Sequence, residues 1–325
     1  SALITGGAGI IGFHLARNLS NDDYNVTILD NFSRGREDHE FNELISRKNV
    51  QFIKADITEK SSFSSLGEFD YVYHLAAING TENFYNIPDQ VLRVGVLGTL
   101  NVLDWFVKKK KGKILFSSSS EAYAGALKIL SGDFPIPTPE NVPLVIDDPS
   151  NVRWSYGAGK IIGEVAFHSY SAANGMDNFS IVRYHNIYGP RMGFEHVIPQ
   201  FIERIERGDD PFHIMGGTET RSFCYVDDAV EATRMVMESG ETNGKVIHIG
   251  RSEGEISILD LANKIFSVAG VQPEIEIRPA PEGSVKRRCP DVQELSKLGF
   301  SPKFSLENGL ERIYEWYHEF YSNQE

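Results

Sequence analysis

The chain contains 325 residues, of which 41% are hydrophobic, 24% are charged and 11% are aromatic, and its formal net charge is -13. These proportions are typical of a globular protein rather than a disordered or fibrous one, and the length suits one compact unit with two lobes. The negative charge argues against a general nucleic-acid or anionic-membrane surface, because phosphates would be repelled over most of the molecule.

The cysteines and the N-terminal residues indicate where the protein works. Cys224 and Cys289 are too few for a disulfide framework or a metal-ligand cluster, and they favour a reducing compartment. No run approaches the roughly 18 to 20 apolar residues of a membrane helix, and the N-terminus lacks the pattern of a signal peptide. We therefore expect a cytoplasmic protein without a metal, a nucleic-acid partner or a membrane anchor.

In the first third of the chain, short apolar runs alternate with longer segments of helical period. The runs predicted as strands are Leu3–Thr5, Val26–Leu29, Val50–Ile53, Tyr71–His74 and Ile114–Phe116. Continuous apolar runs are typical of strands buried on both faces, and crossovers between parallel strands need helices. The alternation therefore predicts an α/β fold with a doubly wound parallel sheet.

The later part of the chain is more mixed. The periodicity fails between Gly125 and Asn151, where prolines cluster, and this predicts a long irregular loop of the kind that is usually functional. Helices are predicted at Val91–Val107, Tyr156–Ala173, Val197–Arg207, Asp227–Glu238, Ile258–Ala269 and Leu306–Phe320, and a strand at Ser180–Tyr184. From about Gly189 onward the pattern indicates a smaller mixed α/β lobe packed over the edge of the sheet.

A glycine-rich turn, Gly6-Gly7-Ala8-Gly9-Ile10-Ile11-Gly12, follows the first strand and opens a helix. Glycines permit the tight turn and let backbone N–H groups approach a pyrophosphate, and the helix dipole favours the negative charge. Asp30 ends the second strand, where a carboxylate can accept hydrogen bonds from ribose hydroxyls and would repel a 2′-phosphate. This selects NAD over NADP, although Arg34 could soften the preference.

Two further strand ends carry candidate cofactor residues. Asp56 follows the third strand at the rim where an adenine amino group could lie, but it could equally cap the helix that begins near Lys60. Leu75, Ala76 and Ala77 end the fourth strand with small residues, as a backbone that lies against a cofactor requires.

Tyr156 and Lys160 form a Tyr-x-x-x-Lys arrangement, and this spacing places both side chains on one helix face. An ammonium beside a phenol stabilises the phenolate, so a group of ordinary pKa about 10 moves toward the range where it accepts an alcohol's proton. A Tyr–Lys pair at this spacing is by itself more often a surface pair. The preceding run Phe116-Ser117-Ser118-Ser119-Ser120-Glu121-Ala122-Tyr123 reverses that preference.

Together these motifs resemble the extended short-chain dehydrogenases, specifically the nucleotide-sugar epimerase and dehydratase family. The resemblance covers nearly the whole chain and rests on Gly6–Gly12, Asp30-Asn31, Asp56, the serine run, Tyr156 with Lys160, Arg183–Pro190 and Arg221–Asp228. It implies an NAD-binding Rossmann domain over residues 1–188, to which some later segments return, and a nucleotide-sugar-binding lobe over residues 189–325.

The resemblance also implies residue roles. Ser119 matches the family's catalytic Ser/Thr, which hydrogen-bonds the sugar's 4-hydroxyl. Tyr156 would be the base, and Lys160 would support it and bind the nicotinamide ribose. A hydride would pass from C4 of the sugar to NAD and leave a 4-keto intermediate. The implied cofactor residues are Gly6, Gly9, Ile10, Ile11, Gly12, Asp30, Asn31, Asp56, Ile57, Leu75, Ala76, Ala77, Ser117, Tyr156, Lys160, Tyr184 and His185.

The implied partner is a nucleotide-diphosphate sugar, linked to UDP, GDP or dTDP. Its diphosphate is expected to meet Asn186, Arg221 and Arg288, although from the residues alone these arginines are plain surface cations. The full implied substrate set is Ser119, Ser120, Asn186, Val197, Phe212, Arg221 and Arg288, with Phe212 beside the nucleotide base. Family members usually dimerise through two long helices, here about Asp89–Val107 and Tyr156–Ala173, so a homodimer is expected. Gly95 departs from the Asn that the family commonly carries.

The step that follows C4 oxidation stays open between epimerisation, dehydration and decarboxylation. Dehydratases carry an Asp–Glu pair where this chain has Ser120 and Glu121, so half of the pair is missing. Ser119-Ser120-Glu121 is similar to the Thr-Ser-Glu of UDP-glucuronate decarboxylases, and Arg153-Trp154-Ser155-Tyr156 to the Arg-Trp-x-Tyr of a bacterial decarboxylase. Glu121 is a second catalytic acid/base or a structural brace, and His185 is a candidate second base at C5. A simple 4-dehydrogenase and a non-catalytic NAD-binding scaffold are the alternatives.

Overall fold

The computed structural model describes residues 1–130, 132, 134–280 and 285–322. The strands are β1 (Ala2–Thr5), β2 (Val26–Asp30), β3 (Val50–Lys54), β4 (Tyr71–His74), β5 (Lys113–Ser119), β6 (Phe179–Tyr184), β7 (Ile187–Tyr188), β8 (Phe212–Met215), β9 (Thr220–Arg221), β10 (Cys224–Tyr225), β11 (Val246–Ile249), β12 (Ile256–Ser257), β13 (Ile275–Arg278) and β14 (Arg287–Arg288). The helices are α1 (Ile10–Asn21), α2 (His39–Ile45), α3 (Thr81–Asn86), α4 (Pro88–Arg93), α5 (Thr99–Lys109), α6 (Ala124–Leu130), α7 (Trp154–Asn174), α8 (Val197–Glu206), α9 (Val226–Glu238), α10 (Ile258–Ala269), α11 (Gln293–Lys297) and α12 (Leu306–Ser322).

Within the described residues, seven parallel strands form the central sheet in the order β11-β6-β5-β4-β1-β2-β3. Side chains alternate between its two faces, so that Ala2 and Ile4 of β1 pack into one apolar core and Leu3 packs into the other. The strand order reverses between β1 and β4, and ligands of such sheets bind where that reversal leaves a crevice at the carboxyl ends. The predicted doubly wound α/β fold is confirmed.

The smaller lobe contains short sheets instead of one large one. Strand β8 pairs with β13, β9 pairs with β12 and β14, and β7 pairs with β10. Phe212 of β8 packs edge-to-face against Phe201 of α8 and Phe266 of α10, which gives this lobe its own apolar centre. Strand β11 belongs to the central sheet although it lies late in the chain, and the division of the chain at residue 188 stays a prediction.

One predicted loop begins too early. Residues Ala124–Leu130 form α6, whereas the sequence analysis predicted an irregular segment from Gly125 onward. The prolines that break helices begin only at Pro135, and Ala126 and Leu127 bury themselves against Tyr123 and Phe134. The prediction was therefore wrong for the first residues of the loop.

The helical stretch Pro88–Lys109 is long and apolar enough to cross a membrane by length and composition, although the sequence analysis expected no such run. Val102 and Leu103 of this stretch are fully buried in the core beneath the sheet. Core helices of globular proteins meet the same criterion, so the stretch is weak evidence for a membrane span.

Candidate active site

A cleft runs along the carboxyl ends of β1, β2, β3, β4 and β5. One part of its wall carries the predicted cofactor residues Gly6, Gly9, Asp30, Asn31, Asp56, Ile57, Leu75, Ala76 and Ala77. The adjoining part carries Ile10, Ile11, Gly12, Ser117, Ser119, Ser120, Glu121, Tyr156, Lys160, Tyr184, Asn186, Val197 and Arg288. The fold therefore brings most of the predicted cofactor and substrate residues together.

The glycine-rich turn between β1 and α1 borders both parts of the cleft. Gly6 has a φ of 76°, which favours glycine, and a Cβ atom there would lie 2.7 Å from the backbone of Ala76. A Cβ atom at Gly12 would collide with the carbonyl oxygen of Gly6. The turn thus presents bare backbone and the N-terminus of α1 to the cleft, which fits the pyrophosphate of NAD.

The carboxylate of Asp30 is held in place by the backbone at the end of β2. One oxygen accepts the N–H of Ala8 at 2.9 Å and the other accepts the N–H of Phe32 at 2.8 Å. Burial raises the pKa of Asp30, and these backbone hydrogen bonds oppose the rise. Beside it, Asn31 donates to Asp56 at 3.1 Å, so the predicted ribose and adenine residues form one polar wall.

Arg34, which the sequence analysis considered as a possible ligand of a 2′-phosphate, reaches across the cleft to the smaller lobe. Its Nη1 donates to Oε1 of Glu195 at 2.6 Å. A Cβ atom at Gly193 would lie within 2.7 Å of both Arg34 and Glu195. The ion pair therefore occupies space that a side chain at this position would otherwise fill. Arg34 is therefore already paired with a carboxylate, which favours the predicted preference for NAD.

Strand β5 and helix α7 bring the predicted catalytic side chains together. Ser119 ends β5, and Tyr156 lies in the first turns of α7 with its ring stacked on Phe84 at 5.0 Å. The Lys160 Nζ atom donates to the carbonyl oxygen of Ser117 at 2.5 Å and lies 5.3 Å from the centre of the Tyr156 ring. The spacing of Tyr156 and Lys160 therefore does place both on one helix face, toward the serine run.

Burial has the largest effect on the protonation of Tyr156 and Lys160. It raises the pKa of the Tyr156 phenol, and the hydrogen bond with Ser119 lowers that pKa only in part. Burial lowers the pKa of the Lys160 ammonium to about 7, while the carboxylate of Glu164 raises it. The pKa of Tyr156 therefore lies above its ordinary value, opposite to the lowering by Lys160 that the sequence predicts, and the pKa of Lys160 lies below its ordinary value.

Glu121 is enclosed by arginines at the edge of the cleft. Arg288 donates to its Oε1 at 2.6 Å, and Arg153 lies 3.5 Å from its Oε2. Burial alone would raise the pKa of Glu121, but these two cations and the Arg288 hydrogen bond hold it below its ordinary value. Arg288 lies on the cleft wall, where a substrate ligand is expected. Its hydrogen-bond partner there is Glu121, and not one of the other residues predicted to bind the diphosphate.

Three predicted ligands, Phe212, His185 and Arg221, are not among the residues that line the cleft. Phe212 and His185 are fully buried. Phe212 lies among the aromatic rings of the smaller lobe, and the ring centre of His185 lies 4.6 Å from that of His248. Both side chains are enclosed by protein, and the predicted contacts of Phe212 with the nucleotide base and of His185 with NAD or with C5 of a sugar stay predictions. Arg221 donates to the carbonyl oxygens of Thr220 and Val285, both at 2.7 Å, and its predicted contact with a diphosphate stays a prediction.

A buried polar cluster, which was not predicted from the sequence, lies behind the serine run. Ser118 donates to Oε1 of Glu164 at 2.5 Å, and Arg183 donates to both carboxylate oxygens of Glu164 at 2.8 Å. A signal was present, because Glu164 follows Lys160 by four residues and so lies on the same face of α7.

Gly95 lies directly against α7. A Cβ atom on Gly95 would lie 3.4 Å from the Cα of Gly159, and the hydroxyl of Thr99 donates to the Gly95 carbonyl at 2.6 Å. Two facing glycines therefore let the turn Val94–Gly98 approach α7 at the level of Tyr156 and Lys160.

The chain is similar to known proteins over most of its length. The model of the NAD dependent epimerase/dehydratase family matches residues 2–250. The UDP-N-acetyl-alpha-D-glucosaminuronate decarboxylase of Bacillus cytotoxicus is 37% identical over 98% of this chain and 97% of its own length. The structure of Thermotoga maritima UDP-glucose 4-epimerase with UDP-glucose is 30% identical, with a TM-score of 0.85 over 98% of this chain and 99% of that one.

A third relative is the UDP-glucuronic acid 4-epimerase from Bacillus cereus, solved with UDP-glucuronic acid and NAD. It is 27% identical, with a TM-score of 0.85, and the match covers 98% of this chain and 99% of that one. These likenesses confirm the predicted class, an NAD-dependent enzyme that acts on nucleotide sugars by epimerase, dehydratase or decarboxylase chemistry. With its glycine turn, its Tyr156–Lys160 pair and this match over most of its length, the chain belongs to the NAD-dependent epimerase/dehydratase family.

Proposed function

We propose that this enzyme decarboxylates a UDP-linked uronic acid after oxidising it at C4. The observation that carries the proposal is Glu121 with its two arginines, Arg288 and Arg153, beside Ser119 and Tyr156. The three side chains together leave one net positive charge next to the reacting group. That charge suits a substrate with a carboxylate at C6, and the 37% identity to a UDP-uronate decarboxylase supports the same choice.

In this proposal, the first step is a proton transfer from the sugar's 4-hydroxyl. Ser119 holds that hydroxyl, and Tyr156 accepts its proton while Lys160 supports the phenolate with positive charge. NAD, which the glycine turn and Asp30 would hold, would supply the hydride acceptor for oxidation at C4 and the hydride donor for the later reduction of the ketone. Lys160 is buried behind the phenol, and the carbonyl oxygen of Ser117 accepts its ammonium group, which fixes the position of the charge.

The second step is the loss of CO2 from the resulting 4-ketone. The bond between C5 and C6 breaks, its electron pair moves into the enolate of the 4-ketone, and C5 then takes up a proton. Arg288 binds the carboxylate, while Glu121 beside it repels the same negative charge. Because the repulsion disappears as neutral CO2 leaves, the transition state is favoured over the bound substrate.

The reaction can be tested with purified enzyme and four nucleotide sugars. UDP-glucuronate and UDP-N-acetylglucosaminuronate are expected to give products lighter by one CO2, whereas UDP-glucose and UDP-N-acetylglucosamine, which lack the carboxylate, are not decarboxylated. Mass spectrometry follows the products, and GDP and dTDP uronates test the preference for UDP. A uronate that changes configuration without losing mass would identify an epimerase, and free 4-keto product with NADH would identify a simple 4-dehydrogenase.

The assigned base is tested by Tyr156→Phe. Turnover should fall at least about 100-fold, because general acid–base catalysis typically contributes 100- to 10,000-fold. Tyr170→Phe is the matched control, since Tyr170 lies on the same helix and its hydroxyl contacts Asp104 outside the cleft. Unchanged turnover in Tyr156→Phe would refute the base role. If the wild type and both variants all lack activity, the result would favour a non-catalytic scaffold.

We also propose a homodimer through α4 and α7. Leu92 is 40% exposed on α4, and Ile162 and Val165 of α7 are 42% and 59% exposed. Burying such side chains against a second copy would stabilise association. Sedimentation should give the mass of two chains for the wild type and of one for Val165→Glu, and a monomeric wild type would contradict the proposal.

A cytoplasmic location remains part of this proposal. Cys224 and Cys289 are both free and buried, which supports a reducing compartment. Fractionation of the source cells, with the protein recovered in the membrane or exported fraction, would contradict it.

A further inference from the structure

Ser118, Glu164 and Arg183 form a polar cluster sealed inside the molecule. Their exposed fractions are 1%, 4% and 3%. The carboxylate accepts three hydrogen bonds, one from Ser118 at 2.5 Å and two from Arg183 at 2.8 Å, and Arg183 also donates to the carbonyl oxygen of Glu140 at 2.8 Å. The cluster thus joins β5, α7, β6 and the proline-rich loop.

The cluster touches each element that carries the proposed catalytic group. Ser118 stands between Ser119 and Ser117, and the carbonyl oxygen of Ser117 accepts the Lys160 ammonium. Glu164 lies one helical turn beyond Lys160 on the same face of α7. A shift of Glu164 would therefore move Lys160 relative to the serine run.

Stability alone does not account for the cluster. Buried ion pairs can often be replaced by apolar residues of similar volume without loss of stability, because both charges must first leave water. Positioning and electrostatic support are the properties that an apolar replacement would lack.

We propose that Glu164 is a positioning residue for catalysis, which sets Tyr156 and Lys160 against Ser119 and places a negative charge one helical turn from Lys160. The inference rests on the roles proposed above for Ser119, Tyr156 and Lys160. It goes beyond them, since Glu164 is not among the residues that line the cleft.

The charged and titratable groups around this site decide the direction of the effect. His74 of β4 and Glu164 of α7 face Lys160, and Tyr156 lies beside it. Arg183 of β6 lies behind Glu164. The charges of Glu121 and Arg34 affect the pKa of Tyr156. Burial holds the pKa of His74 at about 3, so His74 is neutral and does not offset Glu164. Removing the Glu164 charge therefore lowers the pKa of Lys160 further below its ordinary value.

The test compares Glu164→Gln, which keeps the shape but loses the charge, with Glu164→Asp, which keeps the charge. The alkaline limb of the kcat profile should move down by about one pH unit in Glu164→Gln and stay in place in Glu164→Asp. The KM for the nucleotide sugar should remain within about twofold in both, because Glu164 is not among the residues that line the cleft. A limb that stays in place in Glu164→Gln, or that moves equally in both variants, would overturn the proposal.

A second measurement does not depend on the substrate assignment. In holoenzyme labelled at the lysine side chains, the titration of Lys160 is read by nuclear magnetic resonance and assigned by its loss in Lys160→Met. Glu164→Gln should lower the midpoint of this titration by about one pH unit. If the uronates are not decarboxylated but this midpoint falls, the proposed function fails and the role of Glu164 stands.

Two controls separate the electrostatic role from loss of stability. Lys113→Met removes a buried charge at the opposite end of β5, where Lys113 donates to Ser239 at 2.7 Å, and it should destabilise the fold without moving the limb or the midpoint. Should Glu164→Gln fail to fold, the double variant Glu164→Leu with Arg183→Met restores an apolar interior, and the same downward shift is expected there. An unshifted midpoint in that double variant overturns the proposal.

Discussion

Two glutamate–arginine pairs contact the serine run, one through Ser118 and the other through Ser120, and they differ in their exposure to water. In the sealed pair, the side chains of Glu164 and Arg183 are 5% and 4% exposed and join through two hydrogen bonds. In the open pair, Glu121 and Arg288 are 21% and 8% exposed and join through one hydrogen bond. The residue types are the same, but the surroundings are not.

The difference indicates which pair can exchange partners. Both oxygens of Glu164 are satisfied inside the protein, so the sealed pair can hold neighbouring elements but cannot bind a ligand. Arg288 and Glu121 both line the cleft, and a substrate carboxylate could take over part of the Arg288 hydrogen bonding. We therefore propose that the same residue types serve positioning in one place and recognition in the other.

The largest expected difference between the pairs is in folding stability. Arg183→Met leaves the Glu164 carboxylate buried and uncompensated, and should lower the free energy of unfolding by about 3 to 5 kcal/mol. Arg288→Met should cost only about 1 to 2 kcal/mol, since Glu121 keeps Arg153 and some contact with water. Urea denaturation of both variants measures this. Equal losses would show that the two pairs are not distinct.

The next expected effect is on catalysis. Here the open pair matters through its effect on turnover, whereas its effect on the free energy of unfolding is small. Glu121→Gln should lower turnover of the uronate about 100-fold, equivalent to about 2.7 kcal/mol, because the repulsion relieved by CO2 loss is removed. Its free energy of unfolding should stay within about 1 kcal/mol of the wild type. The matched measurement is Ser120→Ala, which removes a 3.3 Å contact of Arg288 and keeps the charge of Glu121, and which should retain most of the turnover. A fully active Glu121→Gln would mean that Glu121 only braces the loop.

The two pairs also explain how far sequence reasoning reached. The central sheet was predictable because its strands are continuous apolar runs, and Tyr156 and Lys160 were predictable because their spacing is local to one helix. The pairing of Glu121 with Arg288 spans 167 positions along the chain and arises only from tertiary packing. Long-range ion pairs leave no periodic signal in a sequence.

Motif position does not determine which way a side chain faces. Phe212 and His185 were assigned by their resemblance to family positions, and both side chains are fully buried, so their ligand roles stay predictions. Strand β11 was not identified because it is short and carries His248 within the apolar run Val246–Ile249. Packing against β6 makes it a strand, and that contact is not visible in the local pattern.

The smallest expected effect sharpens the comparison through pH. The folded pKa of Glu121 lies below its ordinary value of 4.5, so the stability that its ion pair contributes is present above that value and is lost as pH falls through the folded pKa. The free energy of unfolding of the wild type should therefore exceed that of Glu121→Gln by at most about 1 kcal/mol near pH 6, and by less near pH 3.5. Urea denaturation at both pH values measures the difference, and Lys113→Met, which retains Glu121, should show the same pH dependence as the wild type. If this difference in free energy of unfolding does not become smaller in acid, the ion pairs of Glu121 with its arginines do not stabilise the fold.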